Sequence, residues 1–130
     1  MSIWNLVIAT ILIAHGLGHA LIFWTLAGRP LSQTHSAHSW LLSRVLPETI
    51  NRILAVILFS LALIGFVGAG LAMLGWLITP ALWPSLALWA SITSLVGLAL
   101  FWNAFPFFMP NKVGAIAVDV AVLIWLLGLS

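Results

Sequence analysis

The chain has 130 residues, of which 64% are hydrophobic and only 5% are charged, and its mean hydropathy is +1.26. Soluble domains carry about 25% charged residues, so this composition excludes a water-soluble fold. Four cations and two anions form no basic surface for a nucleic acid, and no nucleic-acid partner is expected. The lack of cysteine excludes disulfides, thiolate metal sites and thiol nucleophiles.

Four apolar stretches are long enough to be transmembrane segments, because about 20 apolar residues cross a hydrocarbon core about 30 Å thick. They cover residues 3–27, 50–77, 85–102 and 112–129. Backbone polar groups must be bonded internally in lipid and no barrel-type alternation occurs, so each stretch is predicted to be a helix. The sequence therefore predicts an all-α fold, a four-transmembrane-helix bundle forming a single membrane domain over residues 1–130. No cation precedes the first stretch, so we expect it to be a retained span rather than a cleaved signal.

The cations predict an orientation in the membrane. They all lie in or beside the connections 28–49 and 103–111, at Arg29, Arg44, Arg52 and Lys112. Because Lys and Arg favour the cytoplasmic side, both connections are expected in the cytoplasm, with both termini outside the cell (inner) membrane. Within the first connection, Ser36–Leu46 is predicted to form a short helix lying in the lipid interface.

Small residues predict how the helices pack, since they let backbones approach in lipid. One stripe on the second helix contains Ala62, Gly65, Ala69 and Ala72; the fourth helix carries Gly114, Ala117, Ala121 and Gly128, and the third carries Ala87, Ser91 and Ser94. Asp119 lies away from the stripe of the fourth helix, which thus has two faces that avoid lipid. That helix is expected either inside the bundle or against a second protomer or another membrane subunit.

The most informative segment contains His15 and His19, one turn apart on one helical face near the middle of the first span. An ionisable group inside a membrane is costly enough to suggest function. Gly16 and Gly18 permit the close approach of another backbone or of a flat ligand. At 1.5 Å per residue, His19 and Asp119 lie about 12 Å and about 10 Å from the inner ends of their helices. We therefore expect the carboxylate to reach His19 and, one turn away, His15.

Several functions fit this His/Asp centre. His15, His19 and Asp119 could ligate a metal ion, or the histidines could bind a haem or chlorophyll-type ring packed over Gly16 and Gly18. Neighbouring histidines on one helix cannot hold opposite faces of one ring, so bis-histidine ligation would need a second copy. The centre could instead serve a small transporter as a proton relay, or simply join helices by hydrogen bonds. An enzymatic role is less expected than binding, and the sequence names no substrate.

A second histidine pair lies in the first connection. His35 and His38 are three positions apart and are predicted to lie at the cytoplasmic interface. Loop histidines are commonly solvated polar residues, so this pair is a secondary candidate site.

Overall fold

The computed structural model describes residues 2–128, and within that range the protein is all-helical, without strands. We name the main helices α1 (Ile3–Leu26), α2 (Glu48–Met73), α3 (Trp83–Leu100) and α4 (Val113–Gly128). Helix α1 is continuous but tightens into a 3₁₀ turn at His19–Leu21, between α-helical segments Ile3–Gly18 and Ile22–Leu26. Three of the described helices are long and apolar enough to cross a membrane: α1, α2, and α3 with its preceding turn, Pro80–Leu100.

The observed helix boundaries differ from the predicted ones by a few residues. The largest difference is at the end of α2, which stops at Met73 rather than residue 77. Gly75 has a φ of 71°, a left-handed conformation that commonly ends a helix. Helix α4 has 16 residues and is about 24 Å long at 1.5 Å per residue, so it is shorter than the other three. The last predicted position of the fourth span, residue 129, lies outside the described residues.

Helix α2 is the centre of the packing, with α1 on one side and α3 on the other, and α4 packs on α3. The small residues of α2 make these contacts close, as predicted. A Cβ atom at Gly70 would lie 2.8 Å from the carbonyl oxygen of Ala9 in α1. A Cβ atom at Gly65 would lie 2.8 Å from the Cβ of Ala90 in α3. Backbone contact of this kind is how helices associate where lipid competes for apolar side chains.

The small residues of α4 have a different environment. Ala117 and Ala121 are exposed, whereas Asp119 on the opposite face of the helix is fully buried. The small-residue stripe of α4 thus lies on an open surface beside α1, while the buried face of α4 carries the aspartate toward α3. Helix α4 is not enclosed on both faces within this chain.

The connection between α1 and α2 packs against the connection between α3 and α4. The Ser36 N–H donates to the carbonyl of Asn103 over 2.8 Å, and the Trp40 indole donates to the carbonyl of Ala99 over 2.6 Å. Where the sequence predicts a short helix over Ser36–Leu46, the structure contains only a 3₁₀ turn at Leu42–Arg44. In this segment the Ser36 N–H and the Trp40 indole form hydrogen bonds with the neighbouring connection and the end of α3. These bonds replace the regular backbone hydrogen bonds of a helix.

Candidate functional site

A buried polar cluster joins α1, α3 and α4 inside the helix bundle. The Nε2 atom of His15 lies 2.8 Å from Oδ1 of Asp119, and the carboxyl group of Asp119 is fully buried. The other carboxyl oxygen, Oδ2, lies 2.5 Å from the hydroxyl of Ser94. That hydroxyl in turn lies 2.8 Å from Nε2 of His19. We call these residues, His15, Asp119, Ser94 and His19, the polar centre.

The polar centre closes on itself through α1. Nδ1 of His19 lies 3.0 Å from the carbonyl oxygen of His15, one turn earlier, and a carbonyl can only accept. Nδ1 of His19 therefore carries a proton. The two imidazole rings also meet edge to face, with centroids 4.9 Å apart. All four side chains are thus linked in a chain of hydrogen bonds that starts and ends on the same helix.

When both hydrogen bonds of Ser94 are formed, its single hydroxyl proton allows two arrangements of this chain. In one, Ser94 donates to the Asp119 carboxylate and accepts from Nε2–H of a His19 imidazolium. In the other, the Asp119 carboxylic acid donates to Ser94, which donates to Nε2 of neutral His19. Moving the acid proton to Ser94 and the Ser94 proton to His19 converts the second arrangement into the first. The atoms and the net charge of the polar centre are the same in both.

Phenylalanine rings enclose His19. Its ring centroid lies 5.4 Å from that of Phe105, 5.8 Å from that of Phe66 and 6.0 Å from that of Phe59. Phe66 also contacts His15, with centroids 4.5 Å apart. His19 is 1% exposed, whereas 9% of the His15 side chain reaches the surface. The polar centre therefore has an open end at His15 and a closed end at His19.

This geometry brings together the three predicted metal ligands, but their nitrogen and oxygen atoms are used in hydrogen bonds. Both ring nitrogens of His19 and Nε2 of His15 are engaged in hydrogen bonds, and Asp119 uses both oxygens. Among residues 2–128, no three His, Asp or Glu side chains are arranged so that they could hold a metal ion. A metal at this position would have to break the bonds that order the polar centre, so the geometry does not support the metal hypothesis.

The two glycines beside the histidines have different environments. A Cβ atom at Gly16 would lie 2.9 Å from the Cβ of Phe66 and 3.0 Å from the backbone nitrogen of Val67, so Gly16 serves the contact of α1 with α2. A Cβ atom at Gly18 would meet nothing within 4 Å. Gly18 instead lines an open groove, which also reaches His15.

This groove runs between α1 and α4. The part of the groove nearer the connection 103–111, called here the inner part, has a volume of about 360 Å³. It is lined by Ala14, His15 and Gly18 on one side and by Asn111, Gly114 and Val118 on the other. Its outer part, about 490 Å³, shares Ile11 and Val118 with the inner part and continues past Ala117 and Ala121 to Trp125. We call the two parts together the α1/α4 groove. Within the part of the chain that the structure describes, His15 is the only ionisable side chain in the lining of this groove.

The secondary candidates, His35 and His38, differ from each other in the structure. His35 is buried and uses both ring nitrogens: Nδ1 accepts from the Leu31 N–H over 3.0 Å, and Nε2–H donates to the Ala104 carbonyl over 3.0 Å. Burial lowers the pKa of His35 below 6.5. His38 is exposed and shares only the lining of a small cleft with His35. His35 thus joins two connections and leaves no ring nitrogen for a ligand.

Sequence reasoning missed the part of Ser94 in the polar centre. It placed Ser94 on a packing face of the third helix, where its hydroxyl could bond its own backbone or a partner on another helix, and it did not connect Ser94 with Asp119 or His19. The available signal was depth, because Ser94 follows Ser91 on one face and lies about as far from the inner end of its helix as Asp119 does. No known protein family, curated protein or solved structure matches this chain.

Proposed function

We propose that this chain is a four-span protein of the cell membrane whose polar centre binds and transfers a proton, as the coupling site of a small carrier. The observation that carries the proposal is the position of the Ser94 hydroxyl, 2.5 Å from the Asp119 carboxyl and 2.8 Å from the His19 ring. A hydroxyl between an acid and a base is the arrangement needed for a proton to move between them. Ionisable groups at this depth are typical of proton pathways.

Two features of α4 support the proposal that it is a fourth span: its pattern of buried and exposed residues and the tryptophan near its end. Asp119 is fully buried against α3, while Val120, Ile124 and Leu127 are exposed, as expected for a helix with one face in lipid. Near the end of α4 the Trp125 ring packs on that of Trp83, with centroids 5.0 Å apart. Tryptophans favour the headgroup level, so this pair supports one membrane surface there.

The same arrangement supports the orientation predicted from the cations. The connections 28–49 and 103–111 bond each other at the opposite end of the bundle, and both lie on the cytoplasmic side in this proposal. Trp40 and Val45 of the first connection are exposed, and we propose that this segment lies at the lipid headgroups although it is not a helix. Both termini are then outside.

The open and closed ends favour a carrier over a continuous proton wire. The uptake state holds one proton fewer than the two arrangements above, with neutral His15 and His19, an Asp119 carboxylate, and Ser94 donating only to that carboxylate. A proton taken up at Nδ1 of His15 lets the Nε2 proton pass to Oδ1 of Asp119. Rotation of the resulting carboxylic acid turns its O–H toward Ser94, which is the second arrangement. Transfer through Ser94 brings a proton to His19, where three phenylalanine rings block further movement. Release from His19 therefore requires those rings to move. Coupling a proton to a conformational change is the property that a carrier needs.

The protonation of Asp119 can be measured directly, since it is the only aspartate in the chain. Protein labelled with [¹³C]aspartate in lipid nanodiscs is titrated over about pH 4 to 9, a range that includes the ordinary pKa of His, while the carboxylic-acid band is followed by infrared spectroscopy. We expect the band to change with pH, and Ser94→Ala to separate its titration from that of the histidine rings. An unchanged Asp119 across the range would leave the polar centre as interhelical hydrogen bonding and overturn the proposal.

Transport itself is tested in liposomes containing a pH-sensitive dye. Purified protein is expected to carry protons inward under an imposed gradient, and Asp119→Asn is expected to abolish this flux while the protein stays folded. Ser91→Ala is the matched control, because Ser91 is buried on the same face of α3, one turn from Ser94, but its hydroxyl has no partner among the described residues. Equal flux in the Asp119→Asn and wild-type proteins would contradict a proton-coupled carrier.

A further inference from the structure

We propose that the α1/α4 groove binds a neutral amphiphile whose O–H head group donates a hydrogen bond to Nδ1 of His15. This inference rests on the proposed function, because His15 is the open end of the proton relay. Quinols, long-chain alcohols and protonated fatty acids share this chemistry: one donating head group and an apolar tail.

The acceptor for the head group is already present. Nε2 of His15 donates to Asp119, so in neutral His15 the lone pair is on Nδ1. Nδ1 has no hydrogen-bond partner within residues 2–128, and it is not among the fully enclosed polar atoms. The side chain is nine-tenths buried, and its remaining surface lies in the groove. An unpaired acceptor in an apolar setting is costly, so a donor that reaches it gains a full hydrogen bond.

The shape of the α1/α4 groove fits a head and a tail. Polar lining is concentrated at the inner end, where the carboxamide of Asn111 joins His15. The outer part is almost entirely apolar, between Ile8 and Leu12 of α1 and Val122 and Trp125 of α4. From His15 to Ile8 the groove extends about 10 Å along α1, at 1.5 Å per residue. Volumes of about 360 and 490 Å³ lie within the range of about 300 to 1,000 Å³ typical of ligand pockets.

The lining also argues for a neutral head group. Among the described residues, no Lys, Arg, Asp or Glu side chain lines either part of the α1/α4 groove. A phosphate or ammonium head would enter an apolar site without a counter-charge, which costs far more than placing a hydroxyl there. The lipids expected here are thus those with a hydroxyl or protonated acid head.

A second copy of the chain fits this groove less well. A helix with its side chains is about 10 Å wide, and with nine-tenths of its side chain buried, His15 is accessible to a thin head group rather than to a packed helix. A second copy could cover Ala117 and Ala121 but would leave Nδ1 of His15 unpaired. A bound amphiphile would cover the apolar walls with its tail and donate a hydrogen bond to Nδ1 of His15 with its head group.

The test uses the full-length protein in nanodiscs with three probes: a benzoquinol with a ten-carbon tail, dodecanol and dodecanoic acid. The ¹⁵N resonance of His15 Nδ1 is followed during titration. We expect at least one probe to bind and shift this resonance, and the dimethyl ether of the quinol to bind about tenfold more weakly, the effect of losing one hydrogen bond. The relative affinities of the probes separate a quinol site from an alcohol or fatty-acid site.

Blocking variants locate the site. Gly18→Phe fills the inner part of the groove, where a Cβ atom meets nothing within 4 Å, and it should weaken binding at least about tenfold. Ala117→Phe should do the same from the α4 side. Leu17→Phe is the matched control, because Leu17 is the neighbouring residue, 58% exposed, and does not line the groove. Its affinity should equal that of the wild type.

Three outcomes would overturn the proposal: equal binding of the ether, unchanged binding in both blocking variants, or efficient cross-linking of two copies through Ala117→Cys with no probe bound. The infrared titration of Asp119 is performed without any probe. A titrating Asp119 with no probe binding rejects the amphiphile site and leaves the proton relay intact. An Asp119 that does not titrate rejects the relay whatever the probes do.

Discussion

The Nε2 atom of His15 and Oδ1 of Asp119 lie 2.8 Å apart although 104 positions separate the two residues. This bond connects α1 to α4 across a groove in which the two helices otherwise present mainly apolar walls to each other. Its partner atoms are buried, so its loss leaves an unpaired polar group in an apolar environment. The position of α4 therefore depends on a polar contact as well as on its packing against α3.

A double-mutant cycle measures this connection. His15→Ala and Asp119→Ala are each expected to destabilise the protein, and together they should cost less than the sum of the two. The expected coupling is about 0.6 to 2 kcal/mol, as for hydrogen bonds between membrane helices. Thermal unfolding in detergent gives the four values. His35→Ala combined with Asp119→Ala is the control pair and should be additive, since the His35 ring bonds Leu31 and Ala104 rather than the polar centre.

Two serines on one face of α3 should respond in opposite ways to replacement by alanine. Ser94→Ala leaves Oδ2 of Asp119 and Nε2 of His19 without their partner and should cost about 1 to 3 kcal/mol of unfolding free energy. Ser91→Ala removes a buried hydroxyl that has no partner among the described residues, so its stability should be unchanged or higher. Equal losses of unfolding free energy in the two variants would mean that the Ser94 hydrogen bonds do not contribute to stability and that both serines act only through packing.

Replacing two glycines, Gly70 in α2 and Gly18 in α1, should affect stability differently, because a Cβ atom meets close neighbours at Gly70 and none at Gly18. Gly70→Val places atoms against Ile13 and the backbone of Ala9, and overpacking of this kind typically costs about 1 to 3 kcal/mol. Gly18→Ala meets nothing and should not destabilise α1, since alanine has the higher helix propensity. Chemical or thermal unfolding of the two variants checks the difference. A tolerated Gly70→Val would contradict the close approach of α1 and α2.

The first connection should loosen in mild acid. His35 has its pKa lowered below 6.5, first by burial and in smaller part by the nearby Lys112 cation, so the folded state binds fewer protons than the unfolded one. Its contribution to stability is complete above pH 6.5 and is lost as the pH falls toward the lowered value. Protonated Nδ1 can no longer accept from the Leu31 N–H. Hydrogen exchange at the Leu31 amide, corrected for intrinsic rates, should therefore accelerate as the pH falls below 6.5.

The variant His35→Gln should remove this pH dependence, whereas His38→Gln should keep it. His38 is exposed at the edge of the same cleft, and among residues 2–128 it makes no hydrogen bond that positions the connection. If the pH dependence of exchange disappeared only in His38→Gln, it would come from the His38 ring, and the role of His35 would be rejected.

The sequence was sufficient for the helices and for most of the polar centre, because hydropathy and the cost of intramembrane charge act locally. Depth along two helices placed Asp119 near His15 and His19. It did not show that Asp119 bonds His15 directly and reaches His19 through Ser94, since that depends on how α1, α3 and α4 rotate about their axes. The irregular backbone over Ser36–Leu46 also escaped prediction, because its hydrogen bonds go to residues far along the chain, such as Asn103 and Ala99.

The bond between His15 and Asp119 also imposes an order on biosynthesis. In the proposed four-span arrangement, α1 enters the membrane long before α4 is made, so until then His15 lies in lipid without its carboxylate partner. Ser94 arrives earlier on α3 and can bond His19, but not complete the chain. Nascent protein ending after α3 should therefore be recognised as incomplete by membrane quality control, and its lifetime should lengthen sharply once the residues through Asp119 have been added. A series of truncated chains followed by pulse-chase labelling would measure that step.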